Sequence, residues 1–345
     1  MPRATVTALA ALVLGAALGW LARGQRPPAS VPSPVDVAVL TPEDLDRLCG
    51  DGGVVAGDLL LVSTSLTGDV AVPCLREVGG TLRLASNPEL SSLRLPALRT
   101  VGDSLEIQDN PALLRVELRG LDSVDSAFAV SGNPALRALV APRLERVGRF
   151  VEIYPNTALN DLDLPALRFV GGALTVEGND ALSELLLPSL EEIGGGFSVD
   201  SNAALEAMGV PALWTVGGFF DAEANPRLGA VDLPSLRDVR GDFEVRENPL
   251  LRSVDAPRLR EIGGPLWFLD NQILSDLLLP GLEVIGGGLE LRRNPGLERV
   301  DLGSLRSLGG ELRIAGDGAQ PDERDRLRRD LPGPGPSPRA TQNHQ

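Results

Sequence analysis

The chain has 345 residues with 47 acids against 32 bases, a net charge of -15 at pH 7, and 3% aromatics within 43% hydrophobic residues. Every base is Arg, His344 is the one histidine, and Cys49 and Cys74 are the cysteines. That balance argues against nucleic acid or an anionic membrane surface as a partner, because both need clustered positive charge. A histidine triad, a zinc site and a Schiff-base lysine lack their residues, so neither a cofactor nor a metal is expected.

In chain order, residues 5–22 carry no charge, with Arg3 before them and Arg23 and Arg26 after. Eighteen helical residues reach ~27 Å, just short of a hydrocarbon core. Residues 1–24 therefore read as a signal peptide or as an N-terminal membrane anchor. Either reading places the remainder outside the cytoplasm, secreted or anchored at the cell surface. Residues 25–40 hold Pro27, Pro28, Pro32 and Pro34, a stiff spacer. Residues 41–56 read as an N-terminal cap. Thr41 is the expected N-cap of a short helix, Pro42 its first residue, and Glu43 and Asp44 fill the first turn. Leu45 and Leu48 would cover the end of a core.

Residues 57–316 are dominated by a repeat. Asn recurs every 23 residues without insertion, at Asn87, Asn110, Asn133, Asn156, Asn179, Asn202, Asn225, Asn248, Asn271 and Asn294. Leu stands eleven residues after each, from Leu98 to Leu305, and a Gly pair often closes the unit, as at Gly171-Gly172. Apolar residues alternate before the Asn, as in Leu174 and Val176, and again after it, as in Val231 and Leu233. Period two means a strand with one buried face. One unit cannot offset the entropy of ordering itself, at ~1–2 kcal/mol per residue, so units must stack. The pattern predicts an all-β solenoid of about eleven 23-residue coils, three-sided, with short capping helices. An inward Asn column forms a self-satisfying amide ladder, its carbonyls accepting and its NH2 groups donating between coils. Gly at the corners supplies positive φ or close approach. Cys49 and Cys74 lie 25 apart, one coil plus two residues, and outside the cytoplasm read as a disulfide. Residues 317–331 suit a C-terminal cap and 332–345 a disordered tail.

The string Val78-Gly79-Gly80-Thr81-Leu82-Arg83-Leu84-Ala85-Ser86-Asn87, running on to Leu98, resembles the receptor L domain. Cys49, Val54 and Gly57-Asp58-Leu59 are similar to that family's opening. The repeat is also similar to the 23-residue leucine-rich repeats of bacterial surface antigens. The resemblance implies a right-handed, leucine-rich-repeat-like solenoid that binds ligands outside the cell. No ligand contact and no signalling role carries over with it.

Without inserts between residues 80 and 309 there is no walled cleft, so a non-enzymatic role follows. The exposed positions of the first strand lie six, four and two before each Asn. In the middle coils they carry Asp221, Glu223, Asp242 and Glu244, with Tyr154, Phe219, Trp267 and Leu269 nearby. Exposed aromatics beside charge anchor binding surfaces. These eight residues are the candidate binding site for an extracellular protein or glycan. The alternative is a structural, adhesive envelope component that self-associates.

Overall fold

A computed structural model describes residues 36–50 and 52–316. The leader or anchor expected within residues 1–24, most of the Pro-rich spacer, and the expected C-terminal cap and tail lie outside the described residues. Among the described residues no helix is long and apolar enough to cross a membrane.

Each 23-residue unit makes one coil, and parallel strands stack coil upon coil on three sides. The first side is a 13-stranded sheet, and the third is a 12-stranded sheet of two-residue strands. The second side divides into sheets of five and six strands. Register never slips on the first side: Leu59 lies beside Leu82, and Leu289 beside Leu312. Leu59 and Leu312 are separated by eleven whole 23-residue steps, in line with the coil number read from the repeat. The alternation buries Leu174 and Val176 on the first side, Val231 and Leu233 on the second, and Leu98 and Val101 at the third. The result is one continuous Leu/Val core. Beneath the middle coils Phe197, Phe220, Phe243 and Phe268 follow one another, with ring centroids 4.6–6.1 Å apart.

The Asn ladder is present and fully buried. Asn202 is typical. Its backbone N–H donates to Asn225 Oδ1 at 3.1 Å. Its Nδ2 donates to the same oxygen, to Val176 O of the preceding coil and to Asp200 O of its own. Thr64 takes the place of Asn in the first coil and donates to Asn87 Oδ1 through both N–H and hydroxyl.

Of the two roles open to the corner glycines, close approach is the operative one. A Cβ on Gly102 would stand 2.3 Å from Gly79 O, and one on Gly171 2.0 Å from Gly148 O. Positive φ falls instead on the residue before the ladder Asn, and mostly on non-glycines: Ser86, Asp109, Ser201, Ala224, Glu247, Asp270 and Arg293. The inward turn into the Asn demands that conformation whatever the side chain.

Pro155 breaks this rule, since its ring fixes φ near −65°. The strand before it is cut to Val151–Ile153. Asn156, like Asn271, lacks the bond to the carbonyl two residues back that Asn133 and Asn179 make. Half a coil later the second side opens. Asp161–Asp163 pairs only with the preceding coil and Glu184–Leu186 only with the following one. A groove of about 350 Å3 marks the seam, with Leu162, Asp163 and Leu186 on its walls.

At the N-terminal end the helix Pro42–Gly50 covers the core with Leu48 buried and Leu45 packed against it. Thr41 precedes the helix as expected, but its hydroxyl donates to the Asp44 carboxylate instead of capping an N–H. Asp44 itself accepts from the N–H groups of Leu40 and Thr41 at 3.0 Å, half of a capping box. Those bonds hold its carboxyl below the usual range. Cys49 and Cys74 form the expected disulfide, with Cα atoms 5.3 Å apart.

Candidate ligand-binding face

Outward side chains of the first sheet stand in three columns, one residue of each column per coil. Register sets Asp221 beside Glu244 and Glu244 beside Trp267, and likewise Glu223 beside Arg246 and Arg246 beside Leu269. Phe219 and Asp242 stand at the starts of two of these strands. Seven of the eight candidate residues are therefore neighbours on three adjacent strands. Tyr154 is not among them: two strands intervene between its coil and that of Asp221, a separation of ~14 Å.

Phe219 is 46% exposed. Its ring lies over Gly196, where a Cβ would come within 2.5 Å of it. Trp267 is half-buried and forms one wall of a shallow depression of about 370 Å3, floored by Gly287 and Gly288 and rimmed by Glu290 and Arg313.

The structure adds two residues that the sequence did not single out. Asp200 lies beside Glu223 in register, and oxygens of Asp200, Asp221 and Glu223 gather within 4.8 Å of one another. Arg246 bonds Glu223 and places its Nε 3.1 Å from Glu244. The columns six, four and two before the Asn contained both residues. What the pattern could not say is which acids would be drawn together and which would meet a cation.

The electrostatics follow from this packing. Burial pushes the Asp221 carboxyl up to about 7, reinforced by Asp200, Glu244 and Glu223 and partly offset by Arg246. Its Oδ1 is buried and accepts no hydrogen bond. Burial also raises Asp200, against the pull of the Ser198 hydroxyl and the Glu223 N–H. Glu244 is raised by burial, with Arg246 acting the other way. Burial, then Glu152 and Glu177, raises the Tyr154 hydroxyl. The three gathered carboxylates offer oxygen donors suited to a hard cation, on an open face. The aspartates seven after the Asn, such as Asp232 and Asp255, do not gather in this way.

Ion pairs also link coils and strands on the other two sides. On the third side Arg99 pairs with Asp122, and Arg168 with Glu191. On the second, Arg115 pairs with Glu117, and Arg299 with Asp276.

Stacked parallel coils, an inward Asn ladder and a Leu core define a leucine-rich-repeat-like β-solenoid. No family model matches the chain, and no curated protein matches it. Among solved structures it is similar to a leucine-rich repeat protein from Bacteroides ovatus, at 14% identity over 70% of this chain and 82% of that one, with a TM-score of 0.31. Solenoids of this kind serve as binding scaffolds through their extended faces.

Proposed function

We propose that the protein is a non-enzymatic recognition scaffold of the cell envelope or extracellular space, which binds a protein or glycan through the outward face of its first sheet. One observation carries this reading. On that face Phe219 and Trp267 flank partly desolvated carboxylates, of which Asp200 and Asp221 make no ion pair among the described residues. Aromatic side chains beside desolvated charge are where binding energy concentrates. The disulfide supports an oxidising compartment. The uncharged stretch at residues 5–22 supports export or a membrane attachment.

A second reading is an adhesive envelope component that self-associates through the lateral faces of its solenoid.

The test is a glycan array and an extracellular-protein panel probed with the full chain and with Phe219→Ser/Trp267→Ser. The double variant should keep its circular dichroism and melting temperature and lose every hit. Hits retained by the variant refute the face as the binding site. Concentration-dependent fibres in sedimentation would favour the second reading.

A further inference from the structure

Resting on that reading of the first-sheet face, we infer that its partner is an arginine-rich, extended segment of another protein, laid across the acidic middle coils from Glu152 to Glu244. Over those coils the two central columns carry Glu152, Glu177, Asp200, Asp221, Glu223 and Glu244 against Arg246 alone. Arg246 is taken up by Glu223 and Glu244. Among the described residues, Glu152, Glu177, Asp200 and Asp221 form no ion pair.

Charge complementarity therefore asks for several cations, not one. Four coil-to-coil steps separate Glu152 from Glu244, about 19 Å at 4.8 Å each, the reach of ~6 extended residues. A single metal ion touches only the three gathered carboxylates and leaves the rest of the field unmet.

The face also shows which cation it suits. Arg246 already lies between two carboxylates of neighbouring strands, which a forked guanidinium can bridge and a compact ammonium bridges less well. At the strand starts the Arg149 guanidinium sits 5.1 Å from the centroid of the Phe150 ring. Phe219 occupies the same column three coils on and has no such cation among the described residues, so an incoming arginine finds an exposed ring next to the gathered carboxylates of Asp200, Asp221 and Glu223. Beneath these strands Phe220 and Phe243 stack in the core, their ring centroids 4.6 Å apart.

The experiment titrates the full chain into fluorescein-labelled nona-arginine and follows anisotropy at physiological salt. A net charge of -15 attracts any polycation, so the comparison, made at pH 8 where Asp221 with its value of about 7 is mostly ionised, is between two variants that each replace three carboxylates. Asp200→Asn/Asp221→Asn/Glu223→Gln should weaken binding about tenfold or more. Asp232→Asn/Asp255→Asn/Asp301→Asn, on the second side, should weaken it less than about twofold. Equal weakening in both, or no binding by the parent chain, overturns the inference. So does displacement of the peptide by sub-millimolar Ca²⁺, which would make the cluster a metal site. If the peptide fails while Phe219→Ser/Trp267→Ser still abolishes array hits, the recognition face stands and only its arginine specificity falls.

Discussion

A carboxylate raised by burial makes the folded chain less stable once it ionises, and Asp221 is such a group. In the unfolded chain it ionises near 4; in the folded protein it does so at about 7. Between those values the folded state binds the extra proton, so stability falls as pH rises through that window and is flat above it. Asp200 and Glu244, also raised, add to the same slope. Asp221→Asn should therefore raise the melting temperature at pH 8 by a few degrees, roughly 1–2 kcal/mol after discounting for the solvent that reaches the group. At pH 4 the gain should vanish, and a pH-independent gain would exclude ionisation as its source. The ladder works in the opposite sense. Asn202→Ala would strand the buried N–H of Asn179 and the carbonyl of Val176, at about 1–3 kcal/mol each. Urea unfolding should show a loss of at least about 3 kcal/mol, whereas Glu206→Ala, exposed on the same coil, should cost under about 0.5 kcal/mol. The ladder was legible in the sequence because one residue type recurs where only an amide meets both neighbouring coils. The Asp200–Asp221–Glu223 gathering was not, because it depends on side-chain packing across strands rather than on residue type in a column.

Period and register reveal the strands but not where a sheet parts. The 23-residue count runs unbroken through Pro155, Asp161 and Glu184, so nothing in the repeat marks the seam. It lies half a coil beyond Pro155, a proline at the position that elsewhere takes a left-handed residue. The left-handed site leaves no mark in the sequence for a related reason: the coil geometry imposes it on Ser, Asp, Ala, Glu and Arg alike, without a glycine signature. At the seam the bond that runs from Glu206 N–H back to Ser183 O of the preceding coil has no counterpart from Ser183 to Asn160. Nor does Leu164 N–H make the bond that Leu187 makes to Gly209 O. Hydrogen exchange should therefore find the amides of Ser183 and Leu164 at least about tenfold less protected than those of Glu206 and Leu187. Equal protection would mean that the second side closes in solution.

A solenoid is stabilised by neighbour on neighbour, so its ends decide how it comes apart. At the N-terminal end the helix Pro42–Gly50 covers the core, the strand Val37–Ala38 pairs with Leu59–Val62, and the disulfide ties the helix to the next coil. The cysteines lie 25 residues apart in sequence, a loop whose closure restricts the unfolded chain by about 3–4 kcal/mol. That stabilisation acts on the cap and first coil, not on coils ten steps away. Cys49→Ser/Cys74→Ser should thus release protection from Val37 to Val62 while the amides around Asn248 and Asn271 keep theirs, read by hydrogen exchange on the full chain. In urea the variant should show an early, partial transition before the main one. If the transition instead stays single and shifts as a whole, coupling along the stack exceeds what nearest-neighbour coils supply. The first-sheet face would then answer to events at the cap.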